Sequence, residues 1–361
     1  MAKRPRAVCE SQAAPPSKIP KLALPVSKPL HRREPSSPAT LNLKSKKVND
    51  VLEKEKLSGS TKRETVDGGE REKPAGATGT EKVAQAVQDI QRKRQVVFVV
   101  GASISTSAGI PDFRSENGAL KTKRHLWHET AMSIYSDEFN EYMNDLSTKC
   151  SEAEPTTFHN MIGTVAMKKK LLSVCSTNID GLEAAVSTRI PPDKLISLHG
   201  SLRRLVCSQN PSHEFAAGGT YQIGQPCNTC LVAVTSRNTR RSGLRAGPGK
   251  GLAVGRLRPR VTFDGGPTYD AEESTTSLEA VMQAVKKKPC ALVVAGSSLS
   301  TAELLRRVQS LATKARAAGG VVVWVGYGRC KIKDADHVLN VDCEEFAADM
   351  VKAYETGVKQ H

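Results

Sequence analysis

Several groups of residues in this chain have types and spacings that suit chemistry. The first runs from Gly101, Ala102 and Ser103 through Ala108 and Gly109 to Asp112, Phe113 and Arg114, directly after the β-branched run Val96–Val100. A short apolar run that opens into small residues predicts a buried parallel strand whose end turns close to a ligand. Main-chain N–H groups there, with a helix N-terminus behind them, suit phosphate oxygens. Phe113 and Arg114 would add an apolar lid and a fixed cation. Gly101-x-Ser103 falls short of a full GxGxxG pattern, so the glycines alone equally describe an ordinary turn.

Asn178 and Asp180 follow a second apolar run, Leu171–Ser176. Beyond a strand end, an amide and a carboxylate can hold a ligand carboxamide, which is both donor and acceptor. Asn-Ile-Asp on its own is most often a turn. His199 follows Leu195–Leu198; a histidine there can serve as a general base near neutral pH, or be structural. Gly296, Ser297 and Ser298 follow Ala291–Ala295 and suit phosphate or ribose contacts, or simply a helix cap. Cys227 and Cys230 have the CxxC spacing of a zinc site, and Cys207 and His213 lie close enough in sequence to complete a Cys₃His set.

These residues need a scaffold of strand ends. Val83, Ala84, Val87 and Ile90 share a helical face in Glu81–Arg94. Further helices are predicted over Phe158–Lys170, Leu278–Lys287, Ala302–Ala317 and Glu344–Tyr354, and further strands at Val321–Val325 and His337–Val341. Strands alternating with helices predict an α/β fold, a doubly wound parallel sheet. Residues 201–257 break the rhythm with the cysteines and a run of Arg, Gly, Ser and Lys from Thr235 to Gly251. They predict an inserted small lobe followed by a flexible basic loop.

The chain has 361 residues, a net charge of +16 and nine cysteines. That length holds one large domain or two smaller ones. No apolar run reaches the ~18–20 residues of a membrane span, and the start Met-Ala-Lys-Arg-Pro-Arg lacks the apolar core of a secretory signal. Clustered cysteines then suggest a metal before disulfides. The excess of basic charge favours polyanionic partners, while 4% aromatics argues against a stacking platform for single strands. Residues 1–80 are rich in Pro, Ser, Lys and Arg without apolar periodicity and predict a disordered basic tail. Its short basic clusters suit nuclear import, or mere solubility. The tail and the acid-free stretch 231–260 are candidates for non-specific nucleic-acid contact.

Taken as a string, Gly101 to Ser115 resembles the signature loop of the sirtuins. Asn178-Ile179-Asp180, His199-Gly200, the cysteine cluster, Arg258-Pro259-x-Val261 and Gly296-Ser297-Ser298-Leu299 follow in that family's order. The resemblance covers roughly residues 80–355. It implies a Rossmann-like catalytic domain over residues 81–357 with a small zinc-ribbon-like lobe. It implies an NAD-dependent protein-lysine deacetylase in which NAD is a co-substrate, leaving nicotinamide and acetyl-ADP-ribose. His199 would be the base, with Asn178 and Asp180 at the nicotinamide. Thr177 and Ile179 would lie beside the cofactor, and Cys343 near its adenine. Val261, Phe263 and Gly265 would receive the acyl-lysine, with Val261 and Phe263 lining its tunnel. Arg256 to Arg260 looks most like the fungal nuclear branch, which implies acetylated histones or other nuclear proteins as partners, a role in chromatin silencing, and the nucleus.

The chain also departs from the family. Ser103 stands for a glycine, where its Cβ would matter if the backbone needs a positive φ. Thr177 stands for a glutamine, Asn210 for a zinc cysteine, Gly266 for a glutamate and Gly326 for an asparagine. These substitutions keep other readings open: a catalytically weakened NAD- or ADP-ribose-binding chromatin module, a protein ADP-ribosyltransferase, or a long-chain deacylase.

Overall fold

The computed structural model describes residues 79–112, 118–186, 190–241, 253–266 and 271–356. The chain divides into two units, Met1–Lys73 and Pro74–His361, and the described residues all belong to the second. The expected basic tail, with its import and nucleic-acid readings, lies almost wholly outside them, as do Phe113 and Arg114.

A six-stranded parallel sheet forms the centre. Its strands are β1 (Gln95–Val100), β2 (Leu171–Ser176), β3 (Leu195–Ser197), β7 (Cys290–Ala295), β8 (Val321–Val325) and β9 (His337–Leu339), in the order β3-β2-β1-β7-β8-β9. The uninterrupted apolar run of β1 follows from helices covering both faces. Val96, Phe98 and Val100 face one way, with α1 (Gly79–Arg92), α3 (Thr157–Met167) and α7 (Cys343–Thr356). Phe98 meets Phe158 edge-on at 6.2 Å, and Phe158 stacks on Phe346 at 6.4 Å. Val97 and Val99 face the other way, with α5 (Ala271–Lys287) and α6 (Ala302–Ala317). Alternate residues of one strand thus anchor two separate cores.

A second sheet, antiparallel in the order β5-β4-β6, builds the lobe from β4 (Gly200–Cys207), β5 (Glu214–Ala216) and β6 (Leu257–Val261). The expected lobe at 201–257 is half of what the structure contains. Its core also takes α2 (Ser136–Glu152), whose Phe139, Met143, Leu146 and Cys150 pack with Trp127, Leu202, Leu205 and Phe263. The expected flexible loop from Thr235 is corrected in part: residues Asn228–Arg241 form helix α4. Residues 242–252 lie outside the described part. No helix among the described residues is long and apolar enough to cross a membrane.

Candidate active site and metal cluster

The carboxyl ends of β1, β2, β3 and β7 meet at one cavity of about 290 Å³. Ligands collect at this end of a parallel sheet. Gly101, Ala102, Ser103 and Asp112 line it from the loop after β1, and Thr177, Asn178 and Ile179 from the loop after β2. Gly296, Ser297 and Ser298 come from the end of β7, while His199 and Val261 come from the two sides of the β4–β6 pair. Residues from Gly101 to Ser298, far apart in the chain, are brought to one cavity by the sheet order.

Local sequence explains the approach. A Cβ on Gly101 would lie 2.6 Å from Ser297 Cα, so the glycine lets the ends of β1 and β7 close on each other. Ser103 lies in a 3₁₀ turn, Ala102–Ile104, outside the positive-φ region, and so carries no backbone strain. Thr177 Oγ1 donates to Val100 O at 3.0 Å, tying the ends of β1 and β2. Gly200 sits at φ +82, and a Cβ there would lie 2.0 Å from Arg260 O. Glycine is thus required where the chain passes from His199 into β4 against β6. His199 O accepts from Thr262 N at 3.1 Å, fixing the base candidate to the strand opposite.

Other expected residues lie off the cavity. Ala108 packs against the lobe core and Gly109 closes a 3₁₀ turn at φ +79. Asp180 lines a neighbouring small hollow with Ala102 and Ile179. Cys343, whose thiol burial pushes up to about 12, lies about 4 Å from where a Cβ on Gly326 would sit. Phe263 and Gly265 require correction. Phe263 is buried in the lobe core, 5.6 Å from Phe139 and 6.0 Å from Trp127 by ring centroids, and does not line the cavity. Gly265, at φ +74, lies against His128 instead.

The cavity also has walls that were not singled out as site residues: Trp127, Thr262, Asp264, Ser300, Thr301 and Leu304, with Leu299 from the end of its motif. Thr301 is legible as a cap, since its side chain accepts from Leu304 N and starts α6. Leu299 holds φ +42, a conformation no motif announces. Among the described lining residues, the fixed charges are the carboxylates Asp112 and Asp264. Phosphates here would meet hydroxyls, main-chain N–H groups and the α6 N-terminus.

Behind the cavity lies a buried polar cluster. Asp180 Oδ1 accepts from Leu182 N at 2.9 Å. Burial, with the Glu183 charge beside it, pushes its carboxyl up to about 6. Thr156 N donates to His159 Nδ1, closing the capping box of α3. That leaves the proton of the neutral ring on Nε2. Burial holds His159 down to about 4. The carboxylates of Asp180 and Glu183 lie within 4.8 Å of its ring nitrogen.

The expected metal set converges. Cys207 from the end of β4, His213 from the following turn, and Cys227 and Cys230 around the start of α4 place their donor atoms within 4.8 Å of one another. Cys207 Sγ is 3.6 Å from Cys230 Sγ, and His213 Nδ1 is 3.5 Å from Cys227 Sγ and from Cys230 Sγ. Those edges fit a tetrahedron around an ion at Zn–S of ~2.3 Å. Burial raises the Cys207 thiol, but the N–H groups of Gln209 and Asn210 outweigh it and lower the thiol overall. Asn210 is outside the set and beside it: its Nδ2 is 3.2 Å from His213 Nε2. Its Oδ1 accepts from Ser212 N at 3.1 Å and from Ser212 Oγ at 2.7 Å, so Asn210 orders the turn that carries His213.

Residues 101–302 match the Sir2 family. The chain belongs to that family. It is 30% identical to the NAD-dependent protein deacetylase hst4 of Emericella nidulans, over 72% of this chain and 47% of the relative. It is 29% identical to the NAD-dependent histone deacetylase HST4 of Saccharomyces cerevisiae, over 70% and 74%. Of the first of these sirtuins it spans about half the length. Among solved structures it resembles a Sir2 homologue in complex with ADP-ribose, with a TM-score of 0.59 and 19% identity over 77% of this chain and 98% of the other. It also resembles a Sir2 homologue–NAD complex, with a TM-score of 0.57 and 20% identity over 76% and 95%. At these identities the likeness is one of fold, and it agrees with the parallel sheet described above.

Proposed function

We propose that this sirtuin is an NAD-dependent protein-lysine deacetylase acting on acetylated histones or other nuclear proteins. The observation that carries the reading is one cavity bounded by the ends of β1, β2 and β7 on one side and by His199 and Val261 on the other. The relatives' names, NAD-dependent protein and histone deacetylases, support the activity and the histone class of substrate, and through it a nuclear role.

Bound NAD would supply an activated ribose, from which nicotinamide leaves and on one of whose hydroxyls the acyl group ends, with no hydride moved. In this reading the Ser103, Ser297 and Ser298 segments and the start of α6 hold the phosphates. Asn178 and Asp180 hold the carboxamide, and His199 takes a proton from a sugar hydroxyl. Val261 and Thr262, with Trp127 and Asp264, receive the acyl-lysine. Cys207, His213, Cys227 and Cys230 hold one structural zinc that fixes β4 to α4.

The test is to incubate the full chain with an acetylated histone peptide, with and without NAD, and measure nicotinamide and peptide mass together. NAD-dependent loss of acetyl matched by nicotinamide establishes the reading. ADP-ribose added to protein would replace it with a transferase, and NAD binding without turnover on any acyl peptide with a binding module.

A further inference from the structure

Asn178 shows the protein one half of its carboxamide. Its Nδ2 lies 3.2 Å from Glu183 Oε1 and 3.4 Å from Ser105 Oγ. Its Oδ1 is buried with no partner among the described residues. Glu183 is fully buried and does not line the cavity. Its Oε1 also accepts from Ser176 Oγ at 2.5 Å, and the same hydroxyl oxygen accepts from Asn178 N at 3.0 Å. The carboxylate accepts its own backbone N–H as well.

We propose that Glu183 is a positioning residue: it fixes the orientation of the Asn178 carboxamide so that Oδ1 is kept as an acceptor for a bound ligand. Burial raises the Glu183 carboxyl, but its Oε1, already accepting from Ser176 Oγ, presents an acceptor, and that dictates which half of an amide faces it. Asn178 must turn its NH₂ toward Glu183, and its oxygen is left over. A buried acceptor without a donor is costly, and a ligand N–H or sugar hydroxyl in the cavity relieves that cost. The preference is therefore built in before any ligand arrives. The inference rests on the NAD reading for the identity of that ligand.

Glu183→Gln tests it. The variant keeps the shape and replaces half of the acceptor set with NH₂. That group must then face a donor, or Asn178 must turn over and present its nitrogen to the cavity. NAD binding by calorimetry should weaken roughly ten- to a hundredfold, the effect of losing a hydrogen bond to a charged or buried group. KM for NAD should rise, while KM for the acetylated peptide and the melting temperature stay near wild type. Glu183→Asp, still an acceptor-only group, should bind NAD better than Glu183→Gln does. A merely structural role would move melting temperature and both KM values together, and that result overturns the inference. So does equal NAD affinity in wild type and Glu183→Gln. Wild-type protein that binds no NAD overturns the functional reading first and the inference with it. Should Glu183→Gln fail to fold, Ser176→Ala decides by the same measurements. It removes the hydroxyl anchoring the carboxylate, so a several-fold loss of NAD affinity is expected, and unchanged affinity refutes the inference.

Discussion

Gly200→Ala should unfasten the site at its hinge. Two costs add at this residue. The backbone holds φ +82, which costs an L-residue about 1–2 kcal/mol. The new methyl would also sit 2.0 Å from Arg260 O, inside the β4–β6 pairing. Relieving it requires a backbone shift, of the order of 1–3 kcal/mol for an overpacked site. The sum is about 2–5 kcal/mol. Gly109→Ala isolates the first cost, because Gly109 has φ +79 and nothing within 4 Å of where its Cβ would be. Urea unfolding of wild type and both variants is the assay. Gly109→Ala should lose about 1–2 kcal/mol, and Gly200→Ala distinctly more. Gly200→Ala should also lose turnover out of proportion to stability, since the shift moves His199 and Val261 apart. Equal losses in the two variants would refute the steric reasoning, whatever their size.

His199→Ala should abolish NAD-dependent deacetylation and leave the unfolding midpoint nearly unchanged, because the half-buried ring lines the cavity and not a core. His213→Ala should lower zinc content below one ion per chain and destabilise the lobe, both read by metal analysis and thermal melting. Stability should respond to pH through opposed groups of one buried cluster, His159 against Asp180 and Glu183. Asp180 is raised to about 6, so the folded state holds a proton that the unfolded chain releases, and stability falls as pH rises from 3.8 to about 6. His159 is lowered to about 4, so the unfolded chain takes up a proton first, and stability falls as pH drops from 6.5 to about 4. Asp180→Asn removes the first of these and leaves His159 opposed by Glu183, whose carboxyl burial also raises. Stability in that variant should fall more steeply than in wild type as pH drops from 6.5 to about 4, and an unchanged slope would contradict it.

The parallel sheet was legible because β1, β7 and β8 are apolar runs of five or six residues bounded by small or polar ones, and β2, β8 and α6 fall on the expected residues. The cavity-lining residues after β1, β2 and β7 were legible for the same reason: strand ends are fixed once strands are. The lobe was not, because its strands are short, bulged between Ser201 and Leu205, and paired across distant segments. Helix α2 carried a signal in Phe139, Met143, Leu146 and Cys150 at helical spacing, diluted by the polar residues between them. Phe263 misled because it lies two residues past the end of β6, where the alternation that turns Val261 to the cavity no longer sets its direction. The burial of Glu183 against Asn178 leaves no trace in the sequence, since a glutamate in a short helix reads as surface.

The contact between α1 and α7 has a consequence for biosynthesis. Val83 and Val87, near the start of the described chain, share a core with Phe346 and Met350, near its end. The Glu344 carboxylate accepts from Thr157 N and Phe158 N, at the head of α3. One face of the central sheet, covered by α1, α3 and α7 together, is therefore incompletely covered until the last described helix has been translated and has cleared the ribosome. During that interval the side of β1 that carries Val96, Phe98 and Val100 lacks its α7 partners Phe346 and Met350. Such a nascent chain is a substrate for chaperones, and a premature stop before residue 344 leaves it in that state permanently.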